Sequence, residues 1–218
     1  MKVVVVASGD FDPADAMLLG DADMLVAADG GAESLDRVGR RPDLLIGDLD
    51  STGPALVERL AMSAVRVERH PVDKEASDTE LALRAAIDAG ADEIVLLGAI
   101  GGDRLDHELA NVLLLADPAL AGREVRLVHA GNTVRVVRSG ESLVVGGRIG
   151  DLVTLLPIGG EATGITTDGL RWPLDAATLR MGRSRGLSNE IVAAPASVRL
   201  GSGVLLVVER ALERGATT

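Results

Sequence analysis

Aspartates stand where apolar runs of this chain end. Gly47-Asp48-Leu49-Asp50-Ser51 follows Leu44-Leu45-Ile46 directly, and Asp29 closes Leu25-Val26-Ala27-Ala28 just before Gly30-Gly31. Asp78 sits at the start of a helical pattern, and Asp106 lies near the end of Gly101-Gly102-Asp103-Arg104-Leu105-Asp106-His107. Carboxylates at the ends of buried strands, beside glycines, offer hard oxygen ligands for a divalent cation such as Mg²⁺ and room for a polyphosphate. Residues i and i+2 of an extended segment share a face, so Asp48 and Asp50 are expected to converge on one ion. The plain alternative is an aspartate-rich turn closing a strand. The pattern as a whole points to Mg²⁺-dependent chemistry on a nucleotide.

The neighbouring segments each carry two readings. Gly30 and Gly31 would bring backbone amides close to phosphate oxygens, or merely make a tight turn. In Asp73-Lys74-Glu75-Ala76-Ser77-Asp78-Thr79 the expected helix cap is Ser77. Asp78 then serves a metal or compensates the helix dipole, and Lys74 neutralises phosphate charge or is solvated. Gly101 and Gly102 admit a ligand at the start of a helix, where anions are favoured. Arg104 is a candidate phosphate fork. Asp106 and His107 are polar site residues or a simple cap. The segment is not a P-loop, because the Gly-Lys-Ser/Thr ending is missing. Later, Gly169-Leu170-Arg171-Trp172-Pro173-Leu174 and Gly186-Leu187-Ser188-Asn189-Glu190 stand out. The Trp172 indole caps a core or offers a flat face to a heteroaromatic, cationic ligand. Ser188 and Asn189 offer donors and acceptors, or make a turn.

These side chains need strands and helices to hold them. Strands are expected at Lys2–Ala7, Leu25–Asp29, Asp43–Gly47, Ala64–Glu68, Glu93–Gly98 and Glu124–His129, all rich in Val, Leu and Ile with little alternation. Helices are expected at Ala32–Val38, Pro54–Met62, Ser77–Ala89 and Asp106–Ala116. The third opens with the capping box Ser77-Asp78-Thr79-Glu80 and ends at Gly90. The alternation predicts an α/β domain, residues 1–137, with a doubly wound, mainly parallel sheet and ligands at the carboxyl ends of its strands. From residue 138 to 218 the style changes to short strands at Glu141–Val145, Asp151–Leu156, Glu161–Thr166, Ala196–Leu200 and Gly203–Glu209, separated by Gly-rich turns such as Gly159-Gly160. That portion reads as a small all-β sandwich or barrel. The tail Arg214–Thr218 is expected to fray.

Composition narrows the function further. The chain has 218 residues, 47% hydrophobic and 25% charged, enough for a sizeable core. Phe11 and Trp172 are its only Phe, Trp or Tyr residues, so that core must be Val, Leu, Ile and Ala. A net charge of −11 argues against nucleic-acid binding and against a polybasic membrane surface. With no cysteine there is no disulfide and no thiolate chemistry. The apolar start Met1–Ala7 is too short for a signal-peptide core, and no stretch reaches membrane-spanning length, so a cytoplasmic location is expected.

Taken in order, these segments resemble the thiamine pyrophosphokinase (thiamine diphosphokinase) family. The matching pieces are Ala28–Ala32, Pro42–Ser51, Lys74–Asp78, Gly98–His107 with Ala110-Asn111, Thr167–Leu174 and Leu187–Glu190. The resemblance implies transfer of a pyrophosphoryl group from ATP to the hydroxyl of thiamine, giving thiamine diphosphate and AMP. It also implies Mg²⁺, an N-terminal α/β domain, a C-terminal β-sandwich and a homodimer with shared active sites. By the same resemblance the metal ligands are Asp29, Asp48, Asp50 and Asp78, and Asp48, Asp50, Asp78, Asp106 and Arg104 are catalytic. Gly30, Gly31, Lys74, Gly101 and Gly102 then face the nucleotide, Trp172 stacks on the thiamine pyrimidine, and Ser188 and Asn189 line its pocket. Glu75-Ala76-Ser77 departs from the family's Asp-x-Thr, lengthening one acidic arm and keeping the hydroxyl. Rival readings are a pterin-alcohol pyrophosphokinase, a phosphatase of the haloacid dehalogenase type, a nucleotide-sugar transferase with an Asp-x-Asp metal motif, and a non-catalytic sensor. A haloacid dehalogenase would carry its Asp-x-Asp after the first strand.

Overall fold

Runs such as Lys2-Val3-Val4-Val5-Val6 are strand-forming because branched side chains suit an extended backbone covered on both faces. In this structure, a computed structural model that describes residues 1–212, such runs build the first of two compact units, Met1–Ala130. Its strands are β1 (Lys2–Val6), β2 (Met24–Ala28), β3 (Leu44–Gly47), β4 (Arg66–Arg69), β5 (Glu93–Leu97) and β6 (Glu124–His129). They lie in the order β4-β3-β2-β1-β5-β6, and every pairing is parallel. The helices are α1 (Gly31–Arg37), α2 (Pro54–Ala61), α3 (Asp78–Asp88) and α4 (Leu105–Leu114). Each expected helix and strand of this unit is present, with ends shifted by a residue or two.

Successive strand residues point to opposite faces. Val4, Val6, Leu25, Ala27 and Leu45 pack with Ala32 and Leu35 of α1 and Leu56, Val57 and Leu60 of α2. The alternate set Val3, Val5, Val26 and Ala28 is equally buried, and α3 packs on β1, β2 and β3 through Ala82, Leu83 and Ala86. Each such buried Val or Leu stabilises the unit by about 1.5–3 kcal/mol relative to an exposed one. The edge strand β4, Arg66-Val67-Glu68-Arg69, has charged, exposed ends, which discourage further pairing. A short 3-10 helix, Pro13–Leu19, was not expected from the sequence; Asp12 caps it by accepting from Ala14 N at 2.8 Å.

The second unit begins at Gly131. It contains β7 (Asn132–Arg138), β8 (Ser142–Val145), β9 (Leu152–Asp168), β10 (Ala177–Leu179), β11 (Asn189–Glu190), β12 (Ala196–Arg199) and β13 (Ser202–Arg210), with every pairing antiparallel. Within it the order is β7-β13-β9-β12-β8, and β10 and β11 also pair with β9. One core, including Val153, Leu155, Ile165, Ile191, Val198 and Leu205, is shared by these strands. The sequence suggested two strands, Asp151–Leu156 and Glu161–Thr166, divided by a turn at Gly159-Gly160. The structure joins them in one strand of 17 residues. The glycines, at φ 72° and 155°, bend β9 where its register with β13 shifts, instead of reversing it. The expected domain division after Val137 falls inside β7, which pairs along its length with β13. The tail Arg214–Thr218 lies outside the described residues. Among the described residues no helix is long and apolar enough to cross a membrane.

Candidate metal and nucleotide site

The order of the parallel strands reverses beside β1, between the segments that follow β1 and β5. Ligands of open α/β sheets bind at the carboxyl ends of strands near such a switch point. Here the two loops are laced together. Gly9 N donates to Gly98 O at 2.6 Å and Asp10 N to Ile100 O at 2.9 Å. Gly101 abuts the Asp10 side chain. The loop after β1 did not stand out in the sequence as part of a site; its one signal was a glycine and an aspartate directly after a buried strand.

The adjacent strands carry the acids. Asp29 follows β2 at φ 44° and is buried. Its carboxylate accepts from Ser51 N at 3.2 Å and from Thr52 Oγ1 at 3.1 Å. Burial nonetheless holds its pKa above the ordinary aspartate value; Ser51 and Thr52 pull it down and the nearby Asp78 pushes it up. Asp48 follows β3, and Asp78 is the first residue of α3. One carboxylate oxygen from each of Asp29, Asp48 and Asp78 lies within 4.8 Å of the others. Gly47 makes this approach possible. It sits at φ 147°, and a Cβ there would come within 2.8 Å of Asp78 Oδ1 and 3.2 Å of Asp29 Cβ.

Lys74 is the cation inside this group. Its Nζ donates to Asp48 Oδ2 at 2.8 Å and lies 3.2 Å from Asp78 Oδ1. The hydrogen bond from Lys74 lowers the Asp48 pKa. Burial works against the Lys74 ammonium, but the two carboxylates outweigh it and raise its pKa. Ser77 caps α3, its Oγ accepting from Glu80 N at 3.2 Å, while the Glu80 carboxylate turns to Arg84. That cap fixes Asp78 one residue later.

The residues present suit a divalent cation. Asp78 Oδ1 is sealed from solvent and accepts no hydrogen bond among the described residues, although Lys74 stands by as an ion-pair partner. Buried acceptors without a donor are rare and point to an ion or another ligand. All the donors are carboxylate oxygens, the set that Mg²⁺ prefers.

Other expected site residues fall elsewhere. Asp50 lies outside the three-carboxylate group; it is exposed and accepts from Ser51 Oγ at 3.0 Å. The backbone between Asp48 and Asp50 is not the extended segment that the i, i+2 argument assumes: Leu49 adopts φ 64° and buries its own side chain. Gly30 and Gly31 start α1, and Gly102 lies on the loop before α4. Arg104 and Asp106 pair with each other, Nε to Oδ1 at 2.9 Å and Nη2 to Oδ2 at 2.7 Å, on an exposed surface. The guanidinium holds the Asp106 pKa down at about 2. Asn111 is buried on α4 and donates from Nδ2 to Ala99 O at 2.9 Å, tying the helix to the loop after β5.

In the second unit the late motifs do meet. Asn189, buried at the start of β11, accepts from Trp172 N at 3.0 Å and donates to Trp172 O at 2.8 Å. Arg171 and Glu190 flank this clamp with a two-pronged ion pair. Trp172 itself is 59% exposed, so its indole does not plug the core of this unit. Ser188, at φ 53°, donates from its backbone N to Thr154 Oγ1 at 2.9 Å.

Comparison with known proteins covers both units. The family described as "Thiamin pyrophosphokinase, catalytic domain" matches residues 16–127. That described as "Thiamin pyrophosphokinase, vitamin B1 binding domain" matches residues 139–205. The chain belongs to the thiamine pyrophosphokinase family. Thiamine pyrophosphokinase 3 of Oryza sativa subsp. japonica is 30% identical over 200 residues, covering 77% of this chain and 71% of that protein. The Bacillus subtilis (strain 168) thiamine pyrophosphokinase is 25% identical over 183 residues, covering 84% of this chain and 85% of that protein. Among solved structures, thiamin pyrophosphokinase from Geobacillus thermodenitrificans superposes with a TM-score of 0.82 at 26% identity over 100% of both chains. The haloacid dehalogenase alternative falls, since Asp48-x-Asp50 follows β3 and not β1.

Proposed function

We propose that this member of the thiamine pyrophosphokinase family transfers a pyrophosphoryl group from ATP to the hydroxyl of thiamine, releasing AMP, with Mg²⁺ held by Asp29, Asp48 and Asp78. The observation that carries this is the triad of converging carboxylates, from the ends of β2 and β3 and the start of α3, with Asp78 Oδ1 shielded from solvent and facing only Lys74. Bound Mg²⁺ would supply charge neutralisation for the phosphate oxygens. Phosphoryl transfer otherwise needs mainly positioning. Lys74 adds a positive charge among the carboxylates, and the laced loops after β1 and β5, with Gly101 and Gly102, leave room for the nucleotide. Arg104, exposed, would engage an incoming polyphosphate after leaving Asp106, and the exposed Asp50 would add a carboxylate to the metal from outside the triad. Asp106 released in this way, or Asp78, would then take the proton of the attacking hydroxyl.

The Trp172 indole is the stacking surface for the thiamine pyrimidine, oriented by Asn189, with Ser188 beside it. The active unit is a homodimer in the cytoplasm, in which one chain contributes the acidic set and its partner Trp172, Ser188 and Asn189. The α4 surface supports a dimer. Leu105, Leu109 and Leu113 share one helical face and are each more than half exposed, a stripe that water disfavours. The reaction is tested by following AMP in the purified chain. AMP should form only when ATP, Mg²⁺ and thiamine are all present; ATP breakdown indifferent to thiamine would refute the assignment.

A further inference from the structure

Three arginines line one cleft of the second unit, and no carboxylate among the described residues pairs with them. Arg180, Arg183 and Arg185, with Thr178 and Leu179, line an open cleft of about 540 Å³. That lies in the range of about 300–1,000 Å³ typical of small-ligand sites. Several other arginines of this acidic chain are paired, as in Arg171 with Glu190, Arg135 with Glu209 and Arg126 with Glu93; what sets these three apart is that they line one cleft together. None of the three cleft arginines makes an ion pair or a side-chain hydrogen bond among the described residues.

The loop that carries them is held at both ends. Leu179 is buried in the core before it. After it, Gly186 is pressed onto β9: a Cβ there would lie 2.0 Å from Leu155 O, and Leu155 N donates to Gly186 O at 2.8 Å. A turn in which Arg183 N donates to Arg180 O at 3.2 Å gathers the three side chains over six residues with no acid among them. Gathering three like charges without a counter-charge is unfavourable, and the chain's net charge of −11 left many acids that could have neutralised them. Such a constellation fits a ligand that brings several negative charges of its own. Guanidinium forks match phosphate oxygens in particular, through paired charge-assisted hydrogen bonds.

We propose that this cleft binds the polyphosphate group of a small ligand, as a diphosphate or triphosphate. The shared chemistry is two or more linked phosphates, carried by a nucleotide or by a diphosphate compound. A concave cleft of this size suits a compact ligand better than the extended backbone of a nucleic acid or a membrane surface. The site does not depend on the acidic triad, whose residues all belong to the first unit.

Titration calorimetry in EDTA tests this, because without metal the acidic triad repels anions. Inorganic pyrophosphate should bind the wild-type chain once per chain. Replacing Arg180, Arg183 and Arg185 together by Gln should weaken it by at least ~10-fold, since three charge-assisted contacts worth a few-fold each are lost. Arg183→Lys, keeping charge but losing the fork, should fall between the two. Circular dichroism establishes that each variant is folded. ATP binding tighter than inorganic pyrophosphate would identify a nucleotide as the source, and equal binding a bare diphosphate group. No binding by the wild type, or equal binding by wild type and a folded triple variant, overturns the proposal. Because thiamine and metal are both absent, the result is independent of whether the chain forms AMP.

Discussion

Gly47→Ala isolates the step from backbone to metal site. A Cβ at Gly47 would sit 2.8 Å from Asp78 Oδ1 and 3.0 Å from its Cγ, where ordinary contact begins at 3.4 Å. The Asp78 carboxylate must therefore retreat by about 0.6 Å, or β3 must shift away from α3. Metal–ligand distances tolerate only about 0.2 Å. The expected result is a loss of Mg²⁺ or Mn²⁺ affinity of roughly 10–100-fold, the range seen when support for a metal ligand is removed. Forcing alanine to φ 147° adds a folding cost of roughly 1–3 kcal/mol. Gly39→Ala separates the two effects. Gly39 also has a positive φ, 69°, but a Cβ there meets nothing within 4 Å. It should cost stability, about 1–2 kcal/mol, and leave metal affinity unchanged. The assays are Mn²⁺ binding by calorimetry, Mg²⁺ dependence of AMP formation and denaturant unfolding. A folded Gly47→Ala chain with wild-type metal affinity would show that Gly47 is not there to admit Asp78.

Four further outcomes are expected. Asp48→Asn should lower turnover by about 100-fold with folding intact, whereas Asp50→Asn, altering an exposed carboxylate outside the triad, should leave nucleotide-free Mn²⁺ binding unchanged while reducing activity; loss of that binding in Asp50→Asn would place it among the primary ligands. Thiamine should change the fluorescence of Trp172, the chain's sole tryptophan, and Trp172→Phe should bind thiamine better than Trp172→Ala, stacking being worth roughly 1–3 kcal/mol; unchanged fluorescence with normal binding in both variants would refute the platform. Burial raises the Asp15 pKa against the bond from Ala130 N, so its contribution to stability is full below pH 3.8 and is lost as pH rises through the higher folded value; Asp15→Asn should flatten the stability profile across that weakly acidic range, and an unaltered profile would count against it. Mixing Asp48→Asn chains with Trp172→Ala chains should restore activity, because a mixed dimer carries one site with neither defect; no recovery after exchange is confirmed by mass would assign both residue sets to one chain.

The parallel sheet was legible because its strands are buried on both faces and therefore run apolar without interruption, as Val3–Val6 and Ile94–Leu97 do. The antiparallel unit was less so. Gly159-Gly160 has the composition of a turn, yet pairing on both sides of it with β13 keeps β9 extended, and pairing is not a local property. The brief β10 and β11 depend in the same way on β9. In the site, Asp29, Asp48 and Asp78 stood out at element ends, but only the resemblance to the family named them together as metal ligands. Asp50 could not be separated from Asp48, because the separation rests on Leu49 turning to φ 64° to bury itself. Arg104 and Asp106 looked like independent site residues, and only the structure pairs them across the start of α4.

Lys74 offsets part of the repulsion among the three carboxylates. When all three are ionised they carry three negative charges, and Lys74 Nζ, in contact with Asp48 and Asp78, returns one. The remainder is two, the charge of one divalent cation. Asp29 supplies the remaining control. It is the most buried of the three and its pKa is raised by that burial, so its ionised form is the costliest to keep. The Ser51 and Thr52 bonds offset part of that cost and fix the carboxylate in place before metal arrives. Both donors belong to the segment directly after Asp50. The Gly47–Thr52 stretch therefore contributes to the site three times: a glycine that admits Asp78, a carboxylate that meets Lys74, and a turn that holds Asp29. The chain turns at Leu49 between Asp48 and Asp50, and directly after that turn Ser51 and Thr52 reach Asp29, so one short segment serves two carboxylates of the triad.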